Sequence, residues 1–166
     1  MRSRAVVITF ARTSKAYILG LVFLLNPMMA YGQIIPDLDR LVGKNLEDAY
    51  LGQTIDGIYK RPRERSGTHE FTESFYADGT TYYREGNFTQ EGRWYIENRN
   101  TVCFTYENEG PVSTTTPHCF AIYESGTCQY AYAINNVRNG KPIHPNAWTA
   151  KTLIQGDIST CDNLIS

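Results

Sequence analysis

The fold of this chain is decided by residues 93–104, which read RWYIENRNTVCF. Apolar and polar side chains alternate on both sides of a central Asn-Arg-Asn, which is the pattern of two half-buried strands joined by a tight turn. A three-residue loop at 98–100 sets Trp94 opposite Phe104 across the pair. The register is well determined, because a slip of one residue would carry every apolar side chain to the opposite face.

A third strand is predicted at residues 118–123, paired so that Cys103 faces Cys119. One face of this sheet is then apolar, and it consists of Trp94, Ile96, Val102, Phe104, Phe120 and Ile122. The opposite face carries Arg93, Glu97, Thr101 and Thr105. Such a division between faces is typical of an antiparallel sheet with one side on a core.

Another hairpin is predicted around Asp78-Gly79, between strands at 71–77 and 80–85. The dipeptide fits a two-residue type I′ turn. That turn sets Phe75 opposite Tyr82 and Glu73 opposite Arg84, so Glu73 would form a cross-strand ion pair. Later strands are predicted at 128–134 and 148–155.

The fold class is therefore predicted to be mostly β, with an antiparallel meander of about six to eight strands that forms a small barrel or a curled sheet. A two-layer α+β sandwich is the structural alternative. A short N-terminal helix is expected before the strands, because Leu38, Leu41 and Val42 have helical spacing. Asp37 would cap this helix and Gly43 would end it, with a helical pattern resuming over residues 46–50.

The first 32 residues have the pattern of a signal peptide. Basic residues precede an apolar run at 16–25, and Ala30-Tyr31-Gly32 offers small residues before a cleavage site at Gln33. A run of about ten residues is too short to span a bilayer as a helix. We therefore predict a leader at 1–32, a single disulfide-bearing β-domain at 33–166, and no membrane span after leader removal. A buried N-terminal helix is the alternative.

The charge balance argues against nucleic acid as a partner. Without Arg2, Arg4, Arg12 and Lys15, the chain has twelve basic and seventeen acidic residues, for a net charge of −5. Nucleic-acid binding requires a basic surface. The mean hydropathy of −0.39 also excludes a protein with several membrane spans.

The four cysteines, Cys103, Cys119, Cys128 and Cys161, all follow the leader. An even number in an exported chain indicates two disulfides, and the count alone leaves three connectivities open. The strand register favours Cys103–Cys119, which would leave Cys128–Cys161 to fasten the tail. A zinc site is the alternative, although no C-x-x-C spacing is present. Disulfides and leader together predict a periplasmic or secreted protein.

Catalytic motifs are not apparent in the sequence. The three histidines lack metal-site spacing, and no G-x-S-x-G pattern occurs. Glu70 and Glu73 are candidate paired carboxylates, and His118 is expected at the edge of the apolar face. We predict a protein that is not an enzyme and that has no catalytic residue, no metal and no cofactor.

Two groups of residues are predicted to form a binding surface. The first is the basic loop at 60–67, with Arg61, Arg63 and Arg65. The second lies on the sheet face opposite Trp94, and its members are Arg93, Tyr95, Tyr123 and Tyr130. Tyrosine offers a large contact area at low entropy cost and keeps a polar tip, which suits protein interfaces.

Several motifs follow one another in a recognisable order. They are F-x-x-D-G-T at 75–80, G-R-W-Y-I at 92–96, C-F-x-Y at 103–106 and C-F at 119–120. This order resembles a family of small exported proteobacterial proteins classed as a domain of unknown function, which is loosely lipocalin-like. The resemblance implies export and a β-rich fold, and it assigns no catalytic residue.

The predicted function is an exported, non-catalytic binding protein of the bacterial envelope. Its partner would be another envelope or extracellular protein, and an inhibitor-like module is one version. The periplasmic inhibitors of lysozyme and of metalloproteases have a similar size and architecture, which is a likeness of fold alone. A lipocalin-like carrier of a small apolar ligand is the alternative, and a hydrolase is the third reading.

Overall fold

The computed structural model describes residues 37–106, 116–156 and Cys161. The proposed leader, residues 1–32, lies outside this part of the chain, as does the tail after Gly156 except Cys161. The described residues form strands β1 to β11, helix α1 and a 3-10 turn. Their bounds are β1 Asp39–Arg40, α1 Lys44–Asp48, β2 Thr54–Tyr59, β3 Glu70–Phe75, β4 Thr80–Glu85, β5 Phe88–Glu97, β6 Thr101–Tyr106, β7 His118–Ser125, β8 Cys128–Ala133, the turn Ile134–Asn136, β9 Val137–Arg138, β10 Lys141–Pro142 and β11 Ala150–Ile154.

Eight strands close into an antiparallel barrel, which confirms the predicted fold class. Strands β2 to β8 form a meander in which each strand pairs with the next. β11 closes the barrel because it pairs with β2 on one side and with β8 on the other. β1 pairs with the C-terminal part of β7, and β9 pairs with β10 in a separate two-stranded sheet.

The hairpin of β5 and β6 has the predicted register. Trp94 pairs with Phe104 and Ile96 pairs with Val102, around a loop in which Asn98 has a φ of 49°. Asparagine tolerates this left-handed conformation better than most residues. The predicted apolar face is the inner wall of the barrel, where Val102 is fully buried.

The hairpin of β3 and β4 differs from the prediction by one residue. Its loop contains three residues, 77–79, because the Tyr76 amide donates to the Thr80 carbonyl at 3.0 Å. Gly79 takes the positive φ, 81°, that such a loop requires at its last position. The longer loop shifts the register, so Glu73 pairs with Tyr83 rather than with Arg84.

The N-terminal segment also differs from the prediction. The part predicted as a helix contains strand β1, and the helix begins only after Gly43, at the place where the pattern was expected to resume. Gly43 has a φ of 58°, and its amide donates to the Arg99 carbonyl at 2.6 Å. This turn directs α1 toward one end of the barrel, called here the helix end, where Leu46 and Tyr50 are buried.

A second apolar cluster lies on the outside of β7 and β8. Its members are Ala121, Tyr123, Cys128, Tyr130 and Tyr132, packed against Leu38, Val137, Trp148, Leu153 and Cys161. The segment between β8 and β11 supplies part of this covering layer. The β-barrel therefore carries one core inside and a smaller one outside.

Both disulfides favoured by the strand register are present. Cys103 joins Cys119 across β6 and β7, and Cys128 joins Cys161, which fastens the tail to β8. The described residues contain no free cysteine.

Candidate functional site

The outer wall of β4 and β5 exposes a group of aromatic side chains. Tyr82 and Tyr95 are each 41% exposed, and Tyr76 beside them is 51% exposed. Arg93 lies between Tyr82 and Tyr95, since it pairs with Thr80 and precedes Tyr95 by two positions. These four residues, Tyr76, Tyr82, Arg93 and Tyr95, are called here the tyrosine face.

Two of the predicted surface residues thus come together on this face, namely Arg93 and Tyr95. Tyr82 was missed because the shorter predicted loop placed it opposite Phe75, on the buried side. The true register places it beside Glu91, on the outside. The length of the 77–79 loop sets the register of β3 and β4, and this register decides whether Tyr82 is exposed.

Tyr123 and Tyr130 are not surface residues, which corrects the prediction. They are only 1% and 2% exposed, respectively. Both lie on the outward side of their strands, as expected, but the outer cluster covers them. Alternation along a strand could not reveal this cover, because the covering residues come from distant parts of the chain.

The basic loop folds over the other end of the barrel, called here the loop end. Arg65 donates to Oε2 of Glu85 from Nε at 3.3 Å and from Nη2 at 3.1 Å, and Arg63 lies 3.8 Å from the same oxygen. Ser66 donates to the second oxygen of Glu85. Arg63 and Arg65 therefore pair with a buried carboxyl group while their own side chains stay 43% and 29% exposed, and Arg61 is exposed as well.

Glu85 is fully buried, with Tyr83 donating to it at 2.5 Å. Burial alone would raise its pKa, but hydrogen bonds from Ser66, Tyr83 and Arg65 outweigh this effect and hold the pKa below its usual range. Arg65 also lies 3.9 Å from the centre of the Phe88 ring. The loop is thus held by charge, hydrogen bonds and a cation–π contact.

Glu73 lies inside the barrel, and its predicted ion pair with Arg84 is wrong. It is 4% exposed, and its Oε1 accepts hydrogen bonds from Thr81 at 2.8 Å and from Tyr106 at 2.5 Å. Burial raises the pKa of Glu73 to about 7. The alternation of Phe71, Glu73 and Phe75 along β3 was the sequence signal that could have placed this carboxyl group inside.

A cavity of about 120 Å³ remains inside the barrel toward the loop end. Aromatic residues form much of its wall, and Tyr59, Phe71 and Tyr83 stack side by side across three strands, with ring centres 4.6 and 5.7 Å apart. Glu73 contributes a carboxyl group to the lining, and exposed His118 lies at the rim.

A wider groove of about 590 Å³ lies on the outer side of β2, β3 and β11. Asp56, Glu70, Arg84 and Lys151 line it, together with Cys161.

The candidate carboxylate pair is not formed. Glu70 is exposed on the outer side of β3, whereas Glu73 is buried on the inner side of the same strand. Side chains three positions apart on a strand point to opposite faces. These two carboxyl groups therefore cannot act on one bond.

One group of potential metal ligands occurs among the described residues. Glu97, Cys103 and Cys119 place their ligand atoms within 4.8 Å of one another. Both sulfur atoms belong to a disulfide, and a metal site needs a thiolate. This group therefore cannot hold a metal while the bond is intact.

Within residues 37–106 and 116–156, no helix has the length and apolar character to cross a bilayer. No known family, curated protein or solved structure matches this chain.

Proposed function

We propose that this chain is an exported, non-catalytic binding protein of the bacterial envelope, and that it contacts another protein through the tyrosine face. The observation that carries the proposal is the exposure of Tyr76, Tyr82 and Tyr95 around Arg93 on one wall. Two disulfides fit an exported protein. An inhibitor-like module is one version of this function.

Tyrosine and arginine dominate the contact energy of protein interfaces. On this wall the tyrosines belong to hydrogen-bonded strands, so little backbone freedom is lost when a partner docks. Trp94, on the inner side, donates to the Tyr76 carbonyl at 3.0 Å and ties that residue to the barrel. Cys103, directly opposite Tyr95, links the wall to β7. The face is therefore preorganised, which lowers the entropic cost of binding.

The test uses the oxidised protein, purified after export and immobilised, against envelope extract and culture fluid of the producing bacterium. The triple variant Tyr82→Ser, Arg93→Ser, Tyr95→Ser removes most of the face. Ile143→Ser is the matched control, since Ile143 is 44% exposed and lies in the segment between β10 and β11, outside the face.

We expect the wild-type protein and the Ile143→Ser control to capture the same partner in equal amounts. The triple variant should bind at least tenfold more weakly, since loss of a single central tyrosine or arginine contact costs about 2 kcal/mol. Equal capture by all three proteins would contradict the proposal, as would the absence of any stoichiometric partner.

A carrier of small ligands is the second candidate function, and the cavity inside the barrel favours it. Typical pockets for drug-sized ligands measure roughly 300–1,000 Å³. The cavity here, at about 120 Å³, is smaller because the rings of Phe71, Phe75, Trp94 and Phe104 fill the interior. A carrier of this build would take only a small molecule and would exclude long acyl chains.

A further inference from the structure

The barrel cavity has the features of a binding site separate from the tyrosine face. Phe71, Phe104, Phe120 and Ile122 provide apolar lining. Glu73, together with Arg63 and Arg65, provides charged groups in the same lining. An apolar pocket with a few convergent polar groups is the usual form of a small-molecule site.

The carboxyl group of Glu73 is only half satisfied by the protein. Thr81 and Tyr106 both donate to Oε1. Oε2 accepts no hydrogen bond from any residue that the structure describes. A carboxylate oxygen can accept more than one hydrogen bond, so Oε2 keeps the capacity to accept one from a ligand in the cavity.

Glu73 also has no cationic partner among the described residues. The two arginines at the loop end form their ion pairs with Glu85. Burial of an ionised carboxylate without a counter-ion is unfavourable, and a bound cation would remove that cost. Aromatic rings such as those of Tyr59 and Tyr106 also attract organic cations.

We propose that the barrel cavity binds a small organic amine, with the ammonium group on Oε2 of Glu73 and the apolar body against Phe71, Phe104 and Phe120. The volume limits the ligand to no more than about the size of benzene, since an engineered cavity of roughly 150 Å³ holds benzene and this one measures about 120 Å³. His118, at the rim, marks the side where the cavity reaches the surface.

The test compares two ligands of equal shape, cyclopentylamine and cyclopentanol, by isothermal titration calorimetry on the purified oxidised protein. Glu73→Gln removes the charge and keeps a carbonyl oxygen for Thr81 and Tyr106. Glu70→Gln is the matched control, because it makes the same change on the outer side of β3. We expect the amine to bind the wild type and the control equally, and to bind Glu73→Gln at least tenfold more weakly.

The pH dependence gives a second readout. Between about pH 5.5 and about pH 8.5, Glu73 changes from mostly protonated to mostly ionised, because its pKa is about 7. The affinity for the amine should therefore rise on the order of tenfold over this interval, while the affinity for the alcohol stays constant.

Other charged and titratable groups face this region. Burial raises the pKa of Tyr50, Tyr59, Tyr83 and Tyr106 above the ordinary value, so these side chains stay neutral. Arg65 stays cationic and Glu85 stays ionised across the interval. His118 is the remaining group, and the His118→Gln variant should keep the pH dependence.

Three results would overturn the proposal: no uptake of the amine by the wild type, equal uptake by Glu73→Gln, or equal affinity for amine and alcohol at the upper pH. If Glu73→Gln does not fold, titration of the wild-type carboxyl group by NMR replaces it. Cyclopentylamine must then lower the pKa of Glu73, and an unchanged pKa would refute the site. None of these results depends on the tyrosine face.

Discussion

Glu73, a single side chain directed into the barrel, makes the stability of the protein depend on pH. It is 4% exposed, and burial raises its pKa from 4.5 to about 7. The folded protein therefore holds a proton at this site over a pH range in which the unfolded chain has released it. Stability conferred by this proton is fully present below about pH 4.5 and is lost as the pH rises through the folded pKa, about 7.

We expect the Glu73→Gln variant to lack this pH dependence, because the amide does not ionise. Urea denaturation at about pH 5 and about pH 8 measures the effect. Between these conditions the wild type should lose about 2.5 kcal/mol of unfolding free energy relative to Glu73→Gln, because the two pKa values differ by about 2.5 units and part of the loss has already occurred at about pH 5. The control, Glu70→Gln, should follow the wild type. A parallel pH dependence of wild type and Glu73→Gln would refute the assignment.

At the scale of elements, the basic loop between β2 and β3 depends on one acidic partner. Glu85 is fully buried, and its carboxyl group accepts hydrogen bonds from Arg65, Ser66 and Tyr83. We expect Glu85→Gln to lower the unfolding free energy by about 3 kcal/mol, because it leaves buried donors and a cation without their counter-charge. Urea denaturation measures this loss. Amide hydrogen exchange at Gly67 should become faster, because Gly67 belongs to the loop that this ion pair holds.

Arg61→Gln is the control for the loop, because Arg61 is exposed and belongs to the same segment. Its effect should stay within about 0.5 kcal/mol, as for other surface substitutions. If Glu85→Gln and Arg61→Gln have equal effects, the ion pair does not hold the loop.

The two hairpins show which parts of such elements a sequence determines. The β5–β6 register was predictable, because apolar alternation on both strands agrees with only one loop length. The β3–β4 register was not, because Asp78-Gly79 fits both a two-residue turn and the end of a three-residue loop. The candidate sites depend on that one residue, since it places Tyr83 rather than Arg84 opposite Glu73 and turns Tyr82 to the outside. Tyr123 and Tyr130 are buried by residues that are distant in sequence. The alternation of apolar and polar residues along a strand gives no information about such contacts.

At the scale of the whole molecule, β11 completes the barrel, since Thr152 pairs with Gly57 of β2 and with Gln129 of β8. We expect Thr152→Pro to cost about 3 kcal/mol or more, because proline removes a ladder donor in a strand that is paired on both sides. Thr152→Val keeps the backbone donor and the shape and removes only the hydroxyl group, whose 3.5 Å hydrogen bond to Oε1 of Gln129 is long, so its cost should stay below about 1 kcal/mol. Thermal unfolding followed by circular dichroism separates the two variants, and equal midpoints would contradict a closing role for β11.

Closure of the barrel also restricts how a partner can recognise this protein. Each of the eight barrel strands has a neighbour on both sides, so none offers a free edge to which an incoming strand could add. A partner that docks on the barrel wall must therefore recognise it through side-chain contacts rather than through backbone hydrogen bonds. Specificity then rests on a few exposed residues, which substitution can change without disturbing the ladder of backbone hydrogen bonds. The same closure protects the wall from edge-to-edge aggregation, so a face rich in tyrosine can stay exposed to solvent.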